Sequence, residues 1–407
     1  MFEAIATIPV EELTRRHDAV RRHLQTVAPE AGGILVFSRL NIYYLTGTFG
    51  QGVLWLPLSG DPVLMLRKGV ERARLESGIK NIASFKSYSA LPEICTDAGS
   101  PFTLTIAAVM AGLTWELGNL LAAKLKDYTI VPGDRAVALA KMVKSEFELG
   151  IMRRCGALHH TCLHDLLPAK IHPGMTEREI SHMAWEVFFS EGHMGILRMQ
   201  AHGEECFLGH VASGDSGNYP SSFNGPLGLR GEHPGSALMG NARKIWKEGE
   251  PLMLDIGFQL EGYHTDKTQA YFAGPYSAIP DDVRKAHDFC VEMQDWVCAN
   301  GKPGVTPNEL YTYCTEQAEK RGFDDGFMGL DDNNVPFIGH GIGLTIDEFP
   351  PIAKGFDLPL EKGMTLAIEP KQGVRGIAMV GVENTFEVTD DGMRCMTGDT
   401  YEMVPVE

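Results

Sequence analysis

PLMLDIGFQLEGYHTDKTQAYFAG, residues Pro251 to Gly274, decides how the rest of the chain is read. In its first half Leu252, Leu254 and Ile256 alternate with Met253, Asp255 and Gly257, the two-residue period of a β-strand. Its second half, Asp266 to Phe272, is rich in Thr and aromatic residues and also reads as strand. A turn centred between Leu260 and Glu261 would set Asp255 directly opposite Asp266. Cβ atoms in such a pair stand about 4.5–5.5 Å apart, and two carboxylates so placed repel unless a cation lies between them. A metal site accounts for the pair. Acids are depleted from strand interiors, which argues against reading them as solvated surface charges.

Thr365 to Val388, TLAIEPKQGVRGIAMVGVENTFEV, has the same design. A hairpin centred on Gly376 opposes Glu369 and Glu383. Between the two hairpins, Gly339-His340-Gly341-Ile342-Gly343 sets one imidazole among glycines. Two Asp, one His and two Glu form a hard-oxygen set with one nitrogen. That set suits a pair of divalent ions such as Mn, Fe, Co or Zn, whereas structural zinc prefers Cys and His. Carboxylate-bridged ion pairs lie roughly 3.5–4 Å apart and activate a bound water.

At these residues the chain resembles a known family. Asp255 and Asp266 eleven apart, His340 in GHGIG, Glu369 in AIEP and Glu383 in GVENTFEVTDDG look like the five metal ligands of the pita-bread metallopeptidases. That family holds methionine aminopeptidase, aminopeptidase P and prolidase, with creatinase and other relatives that are not peptidases. The resemblance implies two divalent metal ions, manganese foremost, and a metal-bridged hydroxide. It implies Glu369 as the group that takes and returns a proton, a small peptide or small zwitterionic substrate, and a homodimer. The motifs occupy about the last two thirds of the chain. A weaker likeness over the first third is to the N-terminal domain of creatinase, prolidase and aminopeptidase P, which methionine aminopeptidases lack.

Outward from the motifs, 407 residues suggest two or three domains. A 44% hydrophobic and 22% charged composition is that of a soluble globular protein. No apolar run has membrane-spanning length, and MFEAIATIPVEELTRRHDAV lacks the basic-then-apolar pattern of a secretory signal. The eight cysteines form no CxxC pair, so reduced thiols and a cytoplasmic location are expected. A formal charge of −17 argues against nucleic acid and anionic membrane as partners.

Residues 11 to 28 read as an amphipathic helix, Gly33 to Phe37 as a buried strand, and Asn41 to Thr46 as a short helix stopped by Gly47. Gly52 to Leu58 and Asp61 to Leu66 read as a hairpin around Ser59-Gly60. This is an α/β domain over 1–140. A boundary near Asp134 to Lys144 opens an α+β domain over 141–407. Ser145 with Glu148, and Thr176 with Glu179, are capping boxes of two helices before the first acidic hairpin. Pro280, then Thr306, Pro307 and Glu309, start two more before the second. The duplicated helix-helix-hairpin order is what a pseudo-two-fold metal cradle requires. The irregular stretch Arg198 to Leu229 contains His202, His210, Tyr219 and Phe223, and loops of that kind often line active sites.

Two positions depart from the peptidases. They carry a histidine shortly before the first Asp ligand, where this chain has Ser236-Ala237-Leu238-Met239-Gly240. They carry another seven residues after the His ligand, where this chain has Asp347, in Asp347-Glu348-Phe349-Pro350. His233 and His210 are candidates to fill the first gap. His264 shares the strand face of Asp266 and is a candidate catalytic residue beside Glu369 and Asp347. Asp347 should stay ionised near cations unless buried, and would then favour a substrate with a positive group. Some lyases of small sulfonium acids share Asp-Glu-x-Pro, but their further acid two after the first Asp is Gly257 here. Three functions follow in order. The first is an Xaa-Pro dipeptidase or aminopeptidase. The second is a non-peptidase hydrolase or lyase of a small zwitterionic acid. The third is a binding module that kept the fold, which intact ligands oppose.

Overall fold

A computed structural model describes residues 2–200, 206–236 and 239–407. His202, Ala237 and Leu238 lie outside the described residues. The chain divides into two compact units, Met1–Lys141 and Met142–Glu407.

The first unit opens with α1 (Val10–Val27), whose buried Leu13, Arg16, His17, Val20 and Leu24 recur at helical spacing. Arg16 is fully buried, and its guanidinium donates to Glu12 at 2.6 Å and to the Tyr44 carbonyl at 2.9 Å. Strand β1 (Gly33–Val36) leads into α2 (Arg39–Thr46), capped by Ser38 and ended by Gly47 at φ 79°. Strands β2 (Gln51–Pro57) and β3 (Val63–Lys68) pair antiparallel, as the Ser59-Gly60 turn requires. With β4 (Asn81–Ser84), β5 (Thr105–Ala108) and β6 (Thr129–Pro132) they form one six-stranded sheet in the order β4-β3-β2-β1-β5-β6. Leu35, Trp55, Met65 and Ile106 fill its core with Leu91 and Leu121 from flanking helices.

In the second unit, α3 (Glu146–His160) and α4 (Glu177–Ser190) both begin with complete capping boxes, Ser145 with Glu148 and Thr176 with Glu179. Strands β7 (Gly209–Ser213), β8 (Pro251–Leu260), β9 (Tyr263–Ala273) and β10 (Val404–Val406) form a sheet in the order β10-β9-β8-β7. Helices α5 (Asp281–Asn300) and α6 (Pro307–Arg321) follow β9, the latter with the Thr306–Glu309 capping box. A second sheet contains the strands Phe337–Gly341, Glu348–Ala353, Thr365–Ile368, Asn384–Val388 and Met393–Cys395. A short hairpin, Lys371–Val374 with Ala378–Gly381, extends from its third and fourth strands. The duplicated helix-helix-hairpin order is present. Among the described residues no helix is long and apolar enough to cross a membrane.

The first acidic hairpin differs in register from the sequence reading. Its loop is Glu261-Gly262, with Leu260 paired to Tyr263. Both loop residues have positive φ, 51° and 90°, which a two-residue hairpin turn needs and Gly262 supplies cheaply. Asp255 therefore faces Thr268, and Asp266 faces Gly257. The slip of two keeps both acids on one face, because side chains alternate with a period of two. They are diagonal neighbours, not direct partners.

Candidate metal centre

Strands place all five acidic and histidine residues. In β8, Leu252, Leu254, Ile256 and Phe258 enter the core against Phe188 of α4. Asp255 and Gly257 consequently point to the other face, and Asp266 joins them from β9. His340 sits between Ala367 on one neighbouring strand and Pro351 on the other. Glu369 follows strand Thr365–Ile368, its amide donating to the Ile338 carbonyl at 3.0 Å. Ile368 pairs with Asn384 and Lys371 with Gly381, so the register on both sides sets Glu369 opposite Glu383. The Thr268 amide donates to the Glu383 carbonyl at 3.1 Å, which joins the two acidic hairpins.

Asp255, Asp266, His340, Glu369 and Glu383 line one cavity of about 450 Å³ within the second unit. Asp266, His340 and Glu383 each offer a ligand atom within 4.8 Å of the others. Glu369 Oε1 lies 3.6 Å from His340 Nε2. That donor set fits a divalent transition ion. The local charge fits one as well. Burial and the neighbouring Asp255 push the Asp266 carboxyl up to about 7. Burial, Asp266 and Glu369 push Glu383 well above the usual carboxylate range, against the pull of Lys371. These groups carry more negative charge than their surroundings offset, which a bound cation would relieve.

Sequence reading passed over Lys371. It is fully buried, with Nζ 2.8 Å from Glu383, 3.2 Å from Glu369 and 3.3 Å from Asp255. Burial disfavours its charge, but Asp255, Glu383 and Glu369 outweigh that and hold its pKa well above the ordinary lysine value. The available signal was period two: Lys371 follows Glu369 by two residues in an extended segment and so shares its face.

The remaining candidates separate. His264 is fully buried and does not line the cavity, contrary to the catalytic place expected for it. Its Nδ1 donates to the Gly343 carbonyl at 3.0 Å, and its Nε2 accepts from the Arg198 amide at 3.2 Å. Burial lowers its pKa to about 3, so the ring is neutral and structural, pinning two loops. His233 is exposed and accepts from the Gly235 amide. His210 lines the cavity, pairs across the sheet with Asp255, and packs edge-on against Phe223. Burial lowers its pKa, keeping it neutral. Gly240 cannot carry the missing histidine. A Cβ there would fall 2.2 Å from Glu177 Cβ and 2.5 Å from its backbone. Gly257 faces the side-chain ends of Ile346 and Leu197, each 2.8 Å from an added Cβ, so the lyases' extra acid would fit here only with both side chains shifted. Asp347 lines the cavity and accepts from the Gln200 amide at 2.7 Å through Oδ1. Burial raises its pKa against the pull of that amide and of His340.

The profile of metallopeptidase family M24 matches residues 150–390, and that of the creatinase/prolidase N-terminal domain matches residues 16–143. A probable dipeptidase PepE from Mycobacterium bovis is 26% identical, over 97% of this chain and 99% of its own. An Xaa-Pro dipeptidase from Pyrococcus furiosus is 22% identical, over 91% and 94%. The crystal structure of dipeptidase PepE from Mycobacterium ulcerans superposes with a TM-score of 0.79 at 22% identity, covering 98% of this chain and 100% of that one. With a creatinase-type first unit, a pita-bread second unit and a profile match across most of the latter, the chain belongs to metallopeptidase family M24.

Proposed function

We propose that this chain is a divalent-metal-dependent peptidase that cleaves Xaa-Pro bonds in dipeptides or at the amino termini of short peptides. The observation that carries the proposal is the convergence of Asp255, Asp266, His340, Glu369 and Glu383 on one cavity. The names of the mycobacterial and pyrococcal relatives support the substrate class. Two ions are the complement that the sequence pattern calls for, manganese first among manganese, iron, cobalt and zinc, and Lys371 bears on that count. A bound ion supplies Lewis acidity and makes water a stronger acid.

The chain's own residues do the rest. Glu369 holds and moves the proton at Oε1, while its Oε2 is fixed by Lys371 at 3.2 Å. His210, neutral through burial, lines the cavity on the strand beside the first Asp, where the sequence had no histidine at the Gly240 position. Leu197, Phe223, Phe337, Phe349 and Phe356 give the cavity an apolar wall suited to a proline ring. Asp347 and the absence of Lys or Arg among the described lining residues suit a substrate with a free amino group. With manganese or iron supplied, Xaa-Pro dipeptides should be turned over in preference to a panel of small zwitterions. Turnover confined to the zwitterions would sink the peptidase reading.

Asp347 favours the second reading, a hydrolase or lyase of a small zwitterionic acid, because a carboxylate stands where peptidases place a neutral donor. If Asp347→His raised Xaa-Pro cleavage from a low base, that reading would overtake the first. We further propose a homodimer working in a reducing cytoplasm. All eight cysteines are free thiols. Trp115 is 87% exposed, and Leu117 and Leu120 on the same helix are also exposed, an apolar surface suited to a second copy. Sedimentation should give twice the chain mass; a mass of 44.6 kDa at micromolar concentration would count against the dimer.

A further inference from the structure

Lys371 has the geometry of a resident cation. An ammonium has three N–H donors, and three different carboxylates stand at hydrogen-bond or ion-pair distance from this one. Glu383 and Glu369 each present Oε2 to Lys371, at 2.8 and 3.2 Å. Each presents Oε1 toward His340 Nε2, at 4.0 and 3.6 Å. One oxygen to each side is how a carboxylate bridges two cations. We infer that the Lys371 ammonium is one of the two cations of this centre, and that the chain binds a single divalent ion on Asp266, His340, Glu369 and Glu383. The inference rests on the reading of the cluster as a metal centre and changes its count.

A second ion on the Asp255 side has no place. It would need Asp255 and Glu383 oxygens at about 2.0–2.2 Å. Those oxygens already face Nζ, and two buried cations sharing them would repel strongly. Glu383 Oε2 also accepts from the Thr268 hydroxyl at 3.0 Å, so two donors already occupy it. The lysine stem is accommodated by the facing Gly381, where an added Cβ would stand 2.7 Å from Lys371 Cα and 3.2 Å from its Cγ. Because carboxylates surround all three N–H groups, Lys371 has none left for substrate. It balances charge and orients Glu369, and it cannot activate water as an ion does.

The test is to dialyse the purified full chain to equilibrium against saturating manganese chloride, then measure metal per chain and the electron paramagnetic resonance spectrum. One manganese per chain with the spectrum of an isolated ion is expected. Lys371→Ala should raise the count to two and give the broadened signal of an exchange-coupled pair. Two ions in the wild type would overturn the inference while leaving the metal centre standing. A count of one in Lys371→Ala would also overturn it, since the lysine would not be what excludes the second ion. No ion in the wild type would overturn the metal reading itself. If the variant does not fold, the wild-type count still decides.

Discussion

His340→Ala should remove bound metal and hydrolytic turnover together. His340 is the single imidazole in the cluster with Asp266 and Glu383, partly buried between Ala367 and Pro351. Glu369 Oε1 and Glu383 Oε1 lie 3.6 and 4.0 Å from its Nε2, so an ion held by both carboxylates would lose its only imidazole. Lewis-acid stabilisation by a metal is worth several kcal/mol, so kcat/KM on a good Xaa-Pro substrate should fall by about 10³-fold or more. The fold should persist, because the side chain contributes little to the core. Metal analysis, circular dichroism and kinetics on the same preparation check this. Full metal content with unchanged turnover would show that His340 takes no part.

Lys371→Met should destabilise the metal-free protein by about 3–5 kcal/mol, the cost of leaving buried charge without its partner. Methionine matches the length of the lysine stem, so the change isolates the charge. Asp255, Glu369 and Glu383 would each lose a cation that stands within 3.3 Å. For a chain of this size that corresponds to a fall in Tm on the order of 5 °C. The measurement is thermal unfolding in excess chelator at pH 8, where protons relieve the carboxylates least. Added manganese should restore part of the loss, since an ion that binds only the folded state stabilises it. An unchanged Tm in chelator would mean that the ammonium offsets none of the carboxylate repulsion.

How much of this was legible in the sequence depended on how local each signal is. Capping boxes at Ser145, Thr176 and Thr306 involve residues three apart, and each helix begins where its box lies. The Gly376-centred turn set the second hairpin's register correctly. The first hairpin was misplaced because Glu261, a non-glycine, adopts positive φ and moves the turn one residue along. The acids stayed together because a register slip of two preserves the face. What the sequence hid was tertiary. Strand period places His264 beside Asp266, but not the Gly343 carbonyl and Arg198 amide that occupy its ring nitrogens. Likewise the pairing of β7 with β8, which brings His210 and not His233 to the cavity, joins segments far apart in the chain. The three carboxylates around Lys371 come from separate segments, so its burial as a cation is likewise a tertiary property.

The most direct test of the metal centre is a crystal grown or soaked with manganese and measured at an energy where that ion scatters anomalously. The expected result is an anomalous peak in the second unit bounded by Asp266, His340, Glu369 and Glu383, with ligand atoms at about 2.0–2.3 Å. A well-ordered cluster with no peak among those side chains at saturating manganese, or a peak elsewhere with the five residues turned to solvent, would contradict it.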